Sequence, residues 1–231
     1  DAGIKPLKGS KFTHANNVLF STFKQCKCKK ACNCEAESDF IIEHEKYIII
    51  IECKTKQLSF DSKSGNDLQI LLDLLDCFLK SQYQALKLKY LLLNQSEVTF
   101  TNNHKIIINN RKVYTITVSL WESFLSLMDE QTHRSVFEFL SNRNFSSNDI
   151  ETNQKLAKLN KQLDLIRALN LNDYSRESLF LSFQQFITAL DNSNDHNSFV
   201  ENLLTGSLLV IGHKDWYEKF FYCKDNGCGF F

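Results

Sequence analysis

The sequence predicts an α/β protein in which a sheet-forming half precedes a helical half. Segments rich in β-branched and aromatic residues lie before about residue 120, where two stretches of helical periodicity separate them. After residue 119 the apolar residues recur almost throughout at the three- and four-residue spacing of amphipathic helices. One Pro and seven Gly leave too few turn-forming residues for a β-sandwich or β-barrel. We therefore expect a mixed sheet with helices, followed by an all-helical extension.

The first half is predicted to contain two helices and five strands. The first helix covers about 13–24 and the second about 66–92, each with apolar residues at helical spacing. The strands are expected at 40–42, 47–51, 98–100, 105–108 and 113–118. This order favours an α/β core over residues 1–119, with a helical subdomain over 120–231. The helical subdomain is expected to be a packing layer for the core or, alternatively, a surface for a protein partner.

The composition indicates a folded chain without net charge. Hydrophobic residues make up 43% of the 231 residues, and 27 basic side chains balance 27 acidic ones. A chain of this size buries roughly 70% of the surface that its unfolded state exposes, so intrinsic disorder is not expected. The zero net charge excludes a basic protein that coats nucleic acid.

Nothing in the sequence predicts a membrane segment. The longest apolar stretch, at 47–51, is far shorter than a membrane-spanning helix, which needs roughly 20 residues. The first fifteen residues contain three lysines and no apolar core of a signal peptide. We therefore expect an intracellular protein, in cytoplasm or nucleus. Secretion stays an open alternative, in which the glycosylation sequons at Asn94 and Asn144 would matter.

One predicted hairpin, at 37–54, contains residues suited to catalysis. Two apolar strands flank a polar turn, and a tight reversal at Glu45-Lys46 places Asp39 opposite Glu52. Because side chains alternate along a strand, Lys54 shares the face of Glu52 and lies opposite Glu37. This register is inferred from the turn, and a shift by one residue would separate these side chains.

Two facing carboxylates repel each other unless a cation or a shared proton relieves them. Together with the backbone carbonyl of Cys53, Asp39 and Glu52 offer the oxygen ligands that Mg²⁺ and Mn²⁺ prefer. The ammonium of Lys54 can orient or deprotonate a water and stabilise developing negative charge. The pattern therefore predicts phosphodiester hydrolysis. The alternative is an exposed strand end with a salt bridge between Glu52 and Lys54.

Asp39 and Glu52-Cys53-Lys54 resemble the D…(D/E)-x-K signature of the PD-(D/E)xK nuclease superfamily, which includes restriction endonucleases and Holliday-junction resolvases. The apolar strand before Glu52 is most similar to the NERD-like branch of that superfamily. The resemblance covers roughly half of the chain. It implies a restriction-endonuclease-like α-β-β-β-α-β core and DNA or RNA as the substrate. It also implies Mg²⁺ or Mn²⁺ bound by Asp39, Glu52 and the carbonyl of Cys53.

The chain departs from the superfamily pattern at two places. Ser38 stands where Pro is common, and the first predicted helix lacks the Glu that many members use as a ligand. His14 is the candidate ligand on that helix, because the related viral cap-snatching endonucleases have a His there; the alternative is a surface or core histidine without a metal. On the second predicted helix, the resemblance implies that Gln82 or Gln84 contacts the site; the alternative is that both are polar residues facing solvent.

Six of the eight cysteines lie in two short clusters that suit structural zinc, disulfides or free thiols. The C-x-C spacing of the first cluster is tighter than the C-x2-4-C spacing of most structural zinc sites, so all three states stay open. The two lone cysteines, Cys53 and Cys77, lie in apolar segments and are expected to be buried. The six clustered cysteines are Cys26, Cys28, Cys32, Cys34, Cys223 and Cys228.

A local basic patch is interleaved with the first cysteine cluster. Its lysines lie just before Asp39 in the sequence, so they are expected to hold a nucleic-acid backbone beside the metal; the alternative is a solvated loop. The rival to the nuclease function is a non-catalytic nuclease-like module that binds nucleic acid or protein through the cysteine cluster and the helical half. The lysines of the patch are Lys24, Lys27, Lys29 and Lys30.

Overall fold

A computed structural model describes residues 11–13, 19–27, 35–95, 97–100, 104–121, 127–171, 177–205 and 216–227. The strands within these ranges are β1 (Lys11–Thr13), β2 (Leu19–Lys27), β3 (Glu35–Glu43), β4 (Tyr47–Lys54), β5 (Glu97–Thr99), β6 (Lys105–Ile107), β7 (Lys112–Ser119) and β8 (Ser178–Ser182). The helices are α1 (Phe60–Lys63), α2 (Asp67–Leu74), α3 (Lys80–Gln95), α4 (Glu130–Ser141), α5 (Ile150–Ala168), α6 (Phe183–Asp191), α7 (His196–Leu204) and α8 (Trp216–Asn226). One π-helical turn, Leu75–Leu79, joins α2 to α3.

A six-stranded mixed sheet in the order β1-β2-β3-β4-β7-β8 organises the described residues. Strands β1 to β4 form an antiparallel meander, whereas β4, β7 and β8 run parallel to one another. The helix α2–α3 lies between β4 and β7 in the chain, as a parallel crossover requires. A separate hairpin, β5-β6, follows this helix. The α/β class, the second predicted helix and the five predicted strands are thus confirmed.

The first predicted helix is wrong over residues 19–24, which belong to β2. This strand pairs with β3, with Ser21 opposite Ile41 and Phe23 opposite Ser38. Phe20, Thr22 and Phe23 are of the aromatic and β-branched types that suit an extended chain, and a short apolar pattern does not distinguish a helix from a strand. The initial helix of the predicted α-β-β-β-α-β order is therefore replaced by strand over these residues.

The prediction of an all-helical extension is wrong at β8. All five residues of β8 are buried, and the strand pairs in parallel with β7. A short apolar strand that is buried on both faces lacks the alternation of a half-exposed strand, so it was included in a helical pattern. The predicted boundary at 119/120 consequently lies between two strands of one sheet. Helices α4 to α8 confirm the helical character of the other described segments beyond residue 120.

Strand β4 is central because both of its faces are covered. Ile48 and Ile50 pack on one face against Ala85 and Leu88 of α3. Ile49 and Ile51 belong to a cluster on the opposite face, which includes residues of α6, α7 and α8. The continuous isoleucine run is what a strand buried on both faces requires. This packing fixes the strand that ends in Glu52, Cys53 and Lys54.

A buried histidine contacts a third cluster of apolar residues. His133 of α4 is 1% exposed, and its ring lies edge-on to Phe78 with the centroids 5.1 Å apart. Neither ring nitrogen has a hydrogen-bond partner among the described residues. Burial, aided by the charge of Arg134, lowers the pKa of His133 to about 3. The folded protein therefore holds this ring in its neutral form.

Substitution of His133 by Leu is expected to make the fold more acid-resistant. The unfolded chain binds a proton at His133 below about pH 6.5 whereas the folded chain does not, so stability is lost as the pH falls from 6.5 towards 3. At pH 5 the variant should gain about 2 kcal/mol relative to wild type, since one pKa unit corresponds to ~1.4 kcal/mol. Urea unfolding at pH 5 and 7.5 measures this difference. A difference between variant and wild type that does not change with pH would contradict the account.

Candidate active site

The β3–β4 hairpin has the register that the sequence predicts. Phe40 pairs with Ile51 and Glu43 with Ile48, so Asp39 lies one position beyond the paired residues, level with Glu52. The exposed Asp39 is oriented by a hydrogen bond: its Oδ2 accepts from the backbone N–H of Cys53 at 2.8 Å. The carboxylate of Asp39 is thereby fixed beside the backbone between Glu52 and Lys54.

Glu52 is a buried carboxyl group that lacks full hydrogen bonding. Its side chain is 2% exposed, and its Oε1 has no partner among the described residues. Its Oε2 lies 3.5 Å from Nζ of Lys54. Burial raises the pKa of Glu52 to about 8, and the Asp39 carboxylate contributes to this rise while Lys54 opposes it. A buried oxygen with no partner, beside a second carboxylate, fits a site for a hard cation.

Lys54 is held in place by the long helix that crosses the sheet. Its Nζ donates to Oε1 of Gln84 at 3.0 Å, and Nε2 of Gln84 donates to Oε1 of Glu37 at 2.8 Å. A chain of polar contacts therefore joins Glu37, Gln84, Lys54 and Glu52. Because the amide of Gln84 both donates and accepts, it orients the ammonium of Lys54 next to the carboxylate of Glu52.

Of the two glutamines singled out in the sequence, Gln84 contacts the site and Gln82 points to another strand. Gln82 is fully buried, and its Nε2 donates to Oγ1 of Thr117 on β7 at 3.0 Å. The π-helical turn Leu75–Leu79 lies just before both residues, and such turns are frequent near functional sites.

Two residues that follow β7 make hydrogen bonds to the backbone at the end of β4. The N–H of Leu120 donates to the carbonyl of Lys54 at 2.9 Å, which continues the parallel pairing of β4 with β7. The indole N–H of the exposed Trp121 donates to the carbonyl of Thr55 at 2.9 Å. The sequence did not indicate Trp121, because its helical spacing with later apolar residues suggested a helix. Only the pairing of β7 with β4 brings it to this end of the sheet.

A cleft of about 380 Å³ lies beside Glu37 and Gln84, two residues of the polar chain that includes Lys54. It is bounded by β3, by one face of α3 and by α5. Two residues of the polar chain, Glu37 and Gln84, contribute to its wall. The cleft therefore adjoins Lys54 through Gln84, whereas Asp39, Glu52 and Lys54 are not themselves among its lining residues. The lining residues are Ala36, Glu37, Lys80, Tyr83, Gln84, Lys87 and Gln162.

Several residues that the sequence predicted for the site lie outside the described ranges. On β2 the structure describes the backbone of Lys24, Cys26 and Lys27, where Cys26 pairs with Ala36 and Lys27 with Glu35. Cys223 is buried on α8. The site residues outside the described ranges are His14, Cys28, Lys29, Lys30, Cys32, Cys34 and Cys228.

Of the two lone cysteines, Cys77 is buried as expected whereas Cys53 is exposed. The expectation for Cys53 was wrong because the packed cluster on its face of the sheet includes Ile51 but does not extend to Cys53. The side chain of Cys53 therefore lies at an uncovered strand end. Its predicted role needs only its backbone carbonyl, so the exposure of the thiol does not affect that prediction.

The described residues contain no group of three or more His, Cys, Asp or Glu side chains that could hold a metal ion. The predicted ligand set includes only two such side chains, Asp39 and Glu52, with a backbone carbonyl as the third ligand. Across the same described ranges, every helix is too short or too polar to cross a membrane.

No protein-family model matches the chain, and neither a curated protein nor a solved structure matches it. The functional argument therefore depends on the geometry and the chemistry of the site.

Proposed function

We propose that the protein is a divalent-metal-dependent nuclease that hydrolyses phosphodiester bonds of DNA or RNA at Asp39, Glu52 and Lys54. The observation that carries the proposal is the state of Glu52: its carboxyl group is buried, one oxygen has no partner among the described residues, and a second carboxylate lies beside it. Such a group costs folding stability, and a structural role does not require it. Groups with strongly shifted pKa values that lie beside a cleft are typical of catalytic sites.

A purely structural salt bridge between Glu52 and Lys54 explains the contacts of these two residues less well than a metal site does. The Nζ of Lys54 is closer to Gln84, at 3.0 Å, than to Glu52, at 3.5 Å. A carboxylate kept only for an ion pair would have both oxygens satisfied, whereas Oε1 of Glu52 has no partner in the described part of the chain. A cation that binds both Asp39 and Glu52 would supply the missing interaction.

Each residue has a distinct role in the proposed reaction. Asp39, Glu52 and the carbonyl of Cys53 would hold Mg²⁺ or Mn²⁺, which when bound polarises the phosphate and lowers the pKa of a bound water. The backbone N–H of Cys53 holds the carboxylate of Asp39 in position. Lys54 orients the attacking water and stabilises the charge that develops on the phosphate. Gln84 keeps the ammonium of Lys54 at the site.

The order and direction of the strands also support this proposal. The meander β2-β3-β4, the crossover helix α2–α3 and the parallel strand β7 follow the β-β-β-α-β part of a restriction-endonuclease-like core. In such a core the acidic residue and the E-x-K triplet lie on adjacent strands, as Asp39 and Glu52 do here. A nuclease of this kind would act on nucleic acid inside the cell.

The proposal is tested by incubating the protein with labelled single- and double-stranded DNA and RNA in Mg²⁺, Mn²⁺ or EDTA. We expect cleavage of at least one substrate with metal, none in EDTA, and loss of cleavage in Asp39→Asn. The matched control is Asp225→Asn, which changes an exposed Asp on α8 and should leave cleavage intact. If all four substrates stay intact with Mn²⁺, and no metal raises the melting temperature, the enzyme proposal fails. The non-catalytic binding module would then be favoured.

A further inference from the structure

The cleft beside the carboxylates has a wall formed by one face of α3. Lys80, Tyr83, Gln84 and Lys87 recur at three- and four-residue spacing, so they share a helix face. The cleft volume of about 380 Å³ lies within the roughly 300–1,000 Å³ range of ligand-binding pockets. Gln84 also binds Lys54, so this helix face leads directly to the proposed reaction centre.

Tyr83 lies in the middle of this face with a cation above its ring. Its side chain is half-buried, and Nζ of Lys87 is 5.6 Å from the ring centroid. A ring that is held by its surroundings and yet reaches a cleft can stack on a planar ligand at low entropic cost. Because this ammonium lies over a face of the ring, a planar ligand that stacks on that face takes the place of Lys87, and the displaced ammonium can then pair with a negative charge on the ligand.

Lysines surround this ring on the helix. Lys80 and Lys87 are seven residues apart, or about 10 Å along the helix axis, which equals about three nucleotide steps of a stacked strand. Lys80 is exposed and also pairs with Asp76. On α5, which contributes Gln162 to the cleft, the exposed Lys158 lies one turn before Gln162. The Nε2 of Gln162 is a donor without an acceptor among the described residues.

We propose that this cleft binds a single-stranded segment of nucleic acid, with one unpaired base stacked on Tyr83 and phosphates near Lys80 and Lys87. This inference rests on the proposed nuclease function, because the cleft delivers a strand to Asp39, Glu52 and Lys54. Bases within a duplex have both faces covered by their neighbours, so stacking on Tyr83 requires an unpaired base. The site therefore selects single strands over duplex.

Binding in EDTA tests the inference without requiring metal or cleavage. Fluorescence anisotropy would follow labelled single strands of about 12 nucleotides, with DNA and RNA tested separately against a blunt duplex of the same sequence. We expect single strands to bind at least ~10-fold more tightly than duplex. Tyr83→Leu should weaken single-strand binding by about 5- to 150-fold, since stacking one base on an aromatic ring contributes ~1–3 kcal/mol. Tyr83→Phe keeps the ring and should retain binding.

The lysines are tested by the salt dependence of binding. Lys87→Gln should reduce the slope of log affinity against log salt by about 0.7, the value for one phosphate contact in a single strand. Phe221→Leu and Lys105→Gln alter exposed residues on α8 and β6 that do not line the cleft, and should change neither affinity nor slope. Equal affinity for duplex, or unchanged affinity in a folded Tyr83→Leu protein, would overturn the inference. If single strands bind but are not cleaved in Mn²⁺, the proposed binding site in the cleft is supported and the proposed nuclease function is refuted.

Discussion

Replacing Glu52 by Gln is expected to abolish metal-dependent cleavage and also to raise the melting temperature of the metal-free protein. Cleavage should fall by at least ~10³-fold, because a neutral amide is a poor ligand for Mg²⁺ and Mn²⁺. The melting temperature should rise because Gln has nearly the same shape and carries no charge into a site that is 2% exposed. A residue that reduces stability while supporting activity is expected at a functional site.

The stability gain has a defined pH dependence. With a pKa of about 8 when folded and 4.5 when unfolded, Glu52 binds more protons in the folded protein. Wild-type stability therefore falls as the pH rises from 4.5 to 8, and the variant does not share this loss. At pH 7 the difference should reach up to about 3 kcal/mol, or roughly 5 °C or more in melting temperature.

Glu45→Gln is the matched control, because Glu45 is an exposed carboxylate at the tip of the same hairpin. It should change neither cleavage nor the melting temperature beyond about 0.5 kcal/mol. Thermal unfolding in EDTA between pH 5 and 8.5, together with a cleavage assay in Mn²⁺, measures both effects. A Glu52→Gln protein that melts at or below the wild-type temperature at every pH would contradict the conclusion that burial of the Glu52 carboxyl group destabilises the metal-free fold.

Replacing Lys54 by Met is expected to lower the rate of cleavage by about 10²- to 10⁴-fold while Mn²⁺ binding persists. The methionine side chain fills a similar space but neither orients water nor stabilises developing negative charge. The loss should appear in kcat rather than in KM, because Lys54 acts on the reacting water and phosphate. Single-turnover cleavage and Mn²⁺ titration by calorimetry separate the two effects.

Lys46→Met serves as the control for this substitution. Lys46 is exposed at the turn before β4, at the opposite end of the strand from Lys54. Its loss should leave kcat unchanged within a factor of about two. A Lys54→Met protein that cleaves at the wild-type rate would contradict the proposed role of Lys54. The roles of Asp39 and Glu52 would then be tested separately.

The hairpin could be predicted because local rules determine it. A polar turn between two apolar strands sets the register, and strict alternation then places Glu52 and Lys54 on one face. The pairing of Phe40 with Ile51 confirms that step. Burial of Glu52 could not be predicted in the same way, because it depends on α3, which packs on one face of β4, and on β7, which pairs beside β4 in the sheet.

The two segments that were wrongly predicted as helix are strands because they pair with strands distant in the sequence. Residues 19–24 are strand because they pair with β3, and Ser178–Ser182 is strand because it extends the sheet beside β7. Neither partner can be identified from a short apolar pattern, which suits a helix and a buried strand equally. The helix α2–α3 was predictable because its periodicity extends over many turns. Tyr83 and Gln84 lie on this helix and line the cleft.

The central claim is that Asp39 and Glu52 together bind a divalent cation, and a crystal soaked in Mn²⁺ tests it most directly. We expect an anomalous-scattering peak within about 2.0–2.3 Å of an oxygen of Asp39 and an oxygen of Glu52, with the carbonyl of Cys53 as a further ligand. The peak should vanish in crystals of Glu52→Gln and persist in crystals of Glu45→Gln. A saturating Mn²⁺ soak without a peak between these two carboxylates would contradict the account.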